Sequence, residues 1–146
     1  MMRINFRART LSLAVLVAAG VALIPSQASA APKVVSATNA YSVVTCSVQL
    51  IKTDKNGLAT IRVTANARPA GLQNAFKNAE TAVYCHIYAD ETNGDPTYSN
   101  GFFGKQTINQ TDVVLLPLAM VDIVCAGSET IQKSGASSEN GTCSHI

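Results

Sequence analysis

The sequence predicts an all-β protein: an antiparallel β-sandwich of about seven strands, immunoglobulin-like in architecture only and held by two disulfides. Three observations carry that expectation. Short runs alternate apolar and polar residues with the period of a half-buried strand. Turn-forming Asn-Gly pairs occur at 56–57, 93–94, 100–101 and 140–141, between those runs. The chain also has an even number of cysteines, four, all in its last 101 residues.

Taken in order, Val44, Cys46, Val48 and Leu50 alternate with Thr45, Ser47 and Gln49. Ile61, Val63 and Ala65 alternate with Thr60, Arg62 and Thr64. Between them Asp54, Lys55, Asn56 and Gly57 read as a hairpin turn, in which Gly accepts positive φ without cost. One stretch departs from this period: Leu72, Ala75, Phe76 and Ala79 stand at helical spacing after Pro69, predicting one or two helical turns near residues 70–79. Val83, Cys85, Ile87 and Ala89 then alternate with Ala82, Tyr84, His86 and Tyr88. Val113–Leu118 is an apolar run broken by Pro117, which suits an edge strand or a bend. Val121, Ile123 and Cys125 alternate with Asp122, Val124 and Ala126, so the first three are expected to face the core, and Cys46, Cys85 and Cys125 all to lie on the apolar side of a strand.

The N-terminal thirty residues read differently. Arg3, Arg7 and Arg9 precede an apolar run, Leu11–Ile24, which is closed by Pro25 and by the small residues Ala28, Ser29 and Ala30. These are the three parts of a secretory signal peptide. The run is shorter than the roughly 18 apolar residues of a membrane span. The expected organisation is a cleaved signal at 1–30 and a single disulfide-stabilised domain at 31–146, secreted in soluble form, from an Ala/Val-rich leader of bacterial character. The whole chain carries 11 Lys+Arg against 9 Asp+Glu. Cleavage would remove three Arg and no acid, leaving 8 basic and 9 acidic side chains without a basic cluster. Phosphate neutralisation needs such a cluster, so nucleic acid is not an expected partner.

In an exported chain an even cysteine count reads as disulfides, and the nearest two cysteines here are too far apart for a zinc-type pair. Cys125 and Cys143 flank the turn-rich stretch around Ser134 and Gly135, so a hairpin there brings them face to face. Cys46–Cys85 follows by elimination. Glu80, Thr81, Ala82, Val83, Tyr84 and Cys85 resemble the segment before the second cysteine of immunoglobulin variable domains. There the corner tyrosine stands two residues before the cysteine, whereas Tyr84 stands one before it, which turns its ring to the other face. No Trp lies between Cys46 and Cys85 either, so the sandwich rests on periodicity and not on that likeness.

Catalytic machinery is thin. His145 is penultimate, and His86 points away from its neighbour Cys85 on a strand, so no nucleophile–base pair is in view. The acids of 90–95 (Asp90, Glu91 and Asp95) are the one cluster able to serve a small extracellular hydrolase or offer oxygen to Ca²⁺, though their spacing is not that of a calcium loop. No cofactor or metal is implied. The remaining lead is aromatic: Tyr84, His86 and Tyr88 occupy successive outward positions of one strand, and a long loop, 90–105, carries Tyr98, Phe102 and Phe103. Tyr supplies a large, rigid, polar-tipped contact surface; the alternative is ordinary β-propensity, with one of the two Phe turned into the core. The expected function is therefore a secreted, non-enzymatic binding module for an extracellular protein or cell-envelope component, in its sharper form an inhibitor of an extracellular enzyme. The competing expectations are the carboxylate hydrolase and a structural envelope-associated protein.

Overall fold

The computed structural model describes residues 29–71, 79–90, 94–105 and 107–146. Eight strands make up most of them: β1 (Lys33–Thr38), β2 (Ser42–Thr53), β3 (Leu58–Pro69), β4 (Glu80–Tyr88), β5 (Tyr98–Lys105), β6 (Ile108–Pro117), β7 (Ile123–Ile131) and β8 (Ser137–His145). Every pairing is antiparallel, in two four-stranded sheets ordered β1-β2-β3-β6 and β5-β4-β7-β8. The sandwich is of the expected class, with one strand more than the seven read from periodicity. Of the helical turns expected near 70–79, residues 72–78 lie outside the described residues, and Ala70, Gly71 and Ala79 are not helical. A 3-10 turn, Leu118–Met120, follows β6, and no helix among the described residues is long and apolar enough to cross a membrane.

The β2–β3 hairpin turns where its sequence asks it to. Asp54 Oδ1 accepts the backbone N–H of Asn56 and of Leu58, both at 2.8 Å, and Gly57 takes φ +78°. An Asx-type turn of this kind satisfies two amides that the strands leave over. The β7–β8 hairpin turns at Gly135, φ +86°, whose N–H donates to Gln132 O at 2.9 Å. The other described Asn-Gly pairs do not turn. Asn100-Gly101 lies inside β5 and Asn140-Gly141 inside β8, so the stretch read as a loop from 90 to 105 is a strand from Tyr98 onward.

Alternation decides which side chains meet between the sheets. Val44, Cys46 and Val48 of β2, Ile61, Val63 and Ala65 of β3, and Val83, Cys85 and Ile87 of β4 face inward and are buried. The Cys46–Cys85 disulfide joins β2 to β4 across the middle of this core, with both residues fully buried. β7 runs in the opposite phase to the expectation. Val124 and Ala126 point into the core, while Ile123 and Cys125 lie on the outer face, covered there by neighbouring side chains. Ile123–Ala126 is apolar at every position, so periodicity carries no phase information; the pairing with β4, which sets Cys85 opposite Ala126, supplies it. Cys125 stands directly opposite Cys143 on β8, and the two form the expected second disulfide on the sheet's outer surface.

The lateral seams of the sandwich are closed by polar groups. At the β1/β8 seam, Asn39 is buried, and its Oδ1 accepts from the N–H of Tyr41 (2.8 Å) and Ser42 (2.7 Å). Its Nδ2 lies 3.2 Å from Ser128 Oγ, 3.2 Å from Thr130 Oγ1 and 3.1 Å from Ser138 O. Ser42 Oγ and Thr130 Oγ1 are 2.9 Å apart, so these two buried hydroxyls satisfy one another. At the opposite seam the Tyr98 hydroxyl of β5 donates to Asp112 Oδ2 of β6 at 2.9 Å, and Asn100 Nδ2 donates to the same oxygen at 3.3 Å.

Closing the 39-residue Cys46–Cys85 separation removes more unfolded-chain entropy than closing the 18-residue one. Cys46→Ala with Cys85→Ala is expected to cost about 4 kcal/mol, and Cys125→Ala with Cys143→Ala about 3 kcal/mol, in urea unfolding. A loss below about 1 kcal/mol for the inter-sheet pair would contradict the role given to it.

Candidate functional site

On β4 the parity set by Cys85 turns Tyr84, His86 and Tyr88 to the outer face of the second sheet, and the half-buried rings line up along it. β5 adds one aromatic to that face. Phe102 points inward and is 5% exposed in the core, whereas its neighbour Phe103 is 63% exposed on the outside. Tyr98 also packs against the core, with its hydroxyl spent on Asp112. Of the six residues singled out in the sequence, four share a surface, and Tyr98 and Phe102 belong to the interior.

The rings are seated over glycine. Tyr84 is paired with Gly101 on one side and Gly127 on the other, and Gly127 is paired with Gly141. A Cβ at Gly101 would come within 3.0 Å of Phe103 Cζ and 3.2 Å of Tyr84 Cε1, so glycine here makes room for both aromatics. Tyr84 and Phe103 meet edge to face with centroids 6.1 Å apart, and His86 and Tyr88 lie tilted at 6.2 Å. An edge-to-face pair such as Tyr84–Phe103 gains about 0.5–1.5 kcal/mol beyond the area it buries.

Carboxylates frame the aromatics. The Tyr84 hydroxyl donates to Glu129 Oε2 at 3.1 Å. Partial burial, then this bond and the charge of Glu129, raise the Tyr84 pKa above its ordinary value. Glu129 of β7 stands directly opposite Glu139 of β8, and Glu80 of β4 lies on the same face opposite Lys105. Among the described residues the one close contact between a basic and an acidic side chain is His145–Asp122, at 3.3 Å, so no base stands against Glu80, Glu129 or Glu139. Two open depressions flank Tyr84 and Phe103. One, of about 400 Å³, is lined by Glu80, Phe103, Lys105, Glu129 and Ile131, and the other, of about 440 Å³, by Tyr84, Gly127, Glu129, Glu139 and Gly141.

His86 is half-buried, and its Nδ1 has no hydrogen-bond partner among the described residues. Burial lowers its pKa, which favours the neutral ring. Of its neighbours, Cys85 faces the other way, Cys125 is bonded to Cys143, and Ser99 of β5, opposite it in register, makes no hydrogen bond to the ring. In the 90–95 turn Asp90 and Asp95 are described and Glu91 is not. Among the described residues no group of three or more His, Cys, Asp or Glu is placed to hold a metal ion. No protein-family model matches the chain, and no curated protein or solved structure matches it either.

Sequence reading missed the carboxylate frame and the two seam networks. Glu129 and Glu139 are isolated in sequence and meet only through strand register, and Asp112 reaches Tyr98 and Asn100 only through the meeting of β6 with β5.

Two outcomes follow from these environments. Burial and the Asp112 bond push the Tyr98 pKa up to about 12 from 10.0, so the folded chain holds a proton that the unfolded chain releases. Stability is expected to be intact below pH 10 and to fall as pH rises from 10 toward 12, and Tyr98→Phe should flatten that slope in urea unfolding at stepped pH. Like charges directly opposed across strands destabilise. Glu139→Gln should therefore raise the urea midpoint at neutral pH with an unchanged m-value, and a lowered midpoint would show that the carboxylate is engaged.

Proposed function

We propose that this chain is an exported, non-enzymatic binding module whose contact surface is the outer face of β4, β5 and β7. The observation that carries the reading is the aromatic row Phe103, Tyr84, His86 and Tyr88. It is exposed at Phe103, packed ring against ring, and backed by a sheet that the Cys46–Cys85 bond holds to its partner. A rigid aromatic surface loses little conformational entropy when it is covered, which is why such residues dominate interaction hot spots. The leader-like 1–30 segment and two disulfides support export into an oxidising compartment. The partner is then an extracellular protein or a cell-envelope component, and an exported enzyme held in check by this face is the sharper form of the idea.

Charge narrows the partner's chemistry. Glu80, Glu129 and Glu139 surround the rings, with Lys105 as the basic residue nearest in register. A contact surface carrying Arg or Lys would meet both the carboxylates and the π-faces.

The test is affinity capture from the envelope and culture fluid of the producing organism. Immobilised wild-type domain is compared with Tyr84→Ala/Phe103→Ala and with a control, Lys52→Ala, on the other sheet. Loss of a captured partner in the double variant alone supports the face, and recovery of the same partner by all three chains removes it.

A further inference from the structure

β8 is the one strand that brings no side chain to the core. None of Ser137–His145 belongs to the buried apolar cluster, and only Ser138 and Ser144 are partly covered. The strand lies at the edge of its sheet, with β7 as its sole ladder partner. Its remaining ties are polar, and apart from the contact with the buried Asn39 they lie at the water boundary. Ser138 O accepts from Asn39 Nδ2, Asn140 Nδ2 donates to Thr38 O, and beyond the strand the Ile146 N–H donates to Asp122 O. Water replaces contacts of this kind at little net cost. The tie that water cannot replace is the Cys125–Cys143 bond.

The two disulfides differ in access. Cys46 and Cys85 are each 0% exposed between the sheets, whereas Cys143 is exposed on the outer face and Cys125 lies beneath it at 7%. We propose that the Cys125–Cys143 bond is a reducible latch, which an external dithiol opens while the inter-sheet bond stays closed, releasing β8 and baring the edge of β7. A thiolate of the dithiol attacks Cys143 Sγ, the S–S bond breaks, and Cys125 leaves as a thiolate that takes a proton from water. The second thiol of the reductant then displaces Cys143, so two electrons pass to the protein and the reductant ends as its own disulfide. Val124 and Ala126 keep β7 anchored in the core, so opening is confined to β8. The freed edge of β7 is nine residues long and able to accept another strand. Glu139 and Gly141 would leave the flank of Tyr84 with β8, but the latch does not depend on that face binding a partner.

The experiment uses the wild-type chain and limiting dithiothreitol. Free thiols are alkylated and mapped by peptide mass, and amide hydrogen exchange is followed in parallel. Carbamidomethylation is expected at Cys125 and Cys143 alone, with exchange across 137–145 faster by about a hundredfold while β2, β3 and β4 keep their protection. Cys125→Ser/Cys143→Ser should show the same exchange pattern with no reductant. Simultaneous reduction of both disulfides overturns the proposal. So does β8 protection that is unchanged once Cys125 and Cys143 are alkylated, or that is unchanged in the double variant.

Discussion

The bond between Cys46 and Cys85 fixes the parity of both sheets. On a strand each residue faces opposite to its neighbour, so joining Cys46 to Cys85 through the interior commits Val44, Val48, Val83 and Ile87 to the core in the same stroke. It equally commits Tyr84, His86 and Tyr88 to the outside. The core that the bond crosses is built largely of Val and Ala, including Ala59, Ala65, Ala67 and Ala126. Such side chains bury less apolar area apiece than Leu or Phe, so the crosslink supplies a large part of a net stability that for small domains is only about 5–15 kcal/mol.

Apolar packing fills the centre, and polar groups fasten the sides. The Asn39 network joins the β1–β2 connection to β7 and β8, and the Tyr98–Asp112–Asn100 contact joins β5 to β6. Each places hydrogen bonds where a sandwich's open flank would otherwise leave polar atoms half-buried and unpaired. With both flanks closed, the outer face of the second sheet is a fixed surface, and the positions of its rings follow from register.

The chain announced its fold where one face of a strand is wet. β2, β3 and β4 alternate cleanly because polar residues mark their outer sides, and the Asp54–Gly57 turn names its own chemistry. β7 was opaque in phase because both its faces are apolar over Ile123–Ala126. Gly101 misleads because a glycine that admits an aromatic ring is spelled like a glycine that turns the chain, and Gly141 misleads in the same way from inside β8. Once β5 is a strand, Phe102 and Phe103 must face opposite ways, and the pairing of Tyr84 with Gly101 decides which is outside. Asn39 reads locally as a turn residue, and nothing in its surroundings announces partners about 90 positions away at Ser128 and Thr130.

The β7–β8 hairpin also bears on how four thiols find their two bonds. A hairpin draws its cysteines together using only the residues between them, whereas Cys46 and Cys85 meet only when two separately built sheets stack. Oxidation of the local pair can thus precede assembly of the sandwich. Once Cys125 and Cys143 are joined, the three conceivable connectivities shrink to one, and the remaining two thiols have no wrong partner within their own chain. The least buried bond in the molecule would then serve as a chaperone for the most buried one.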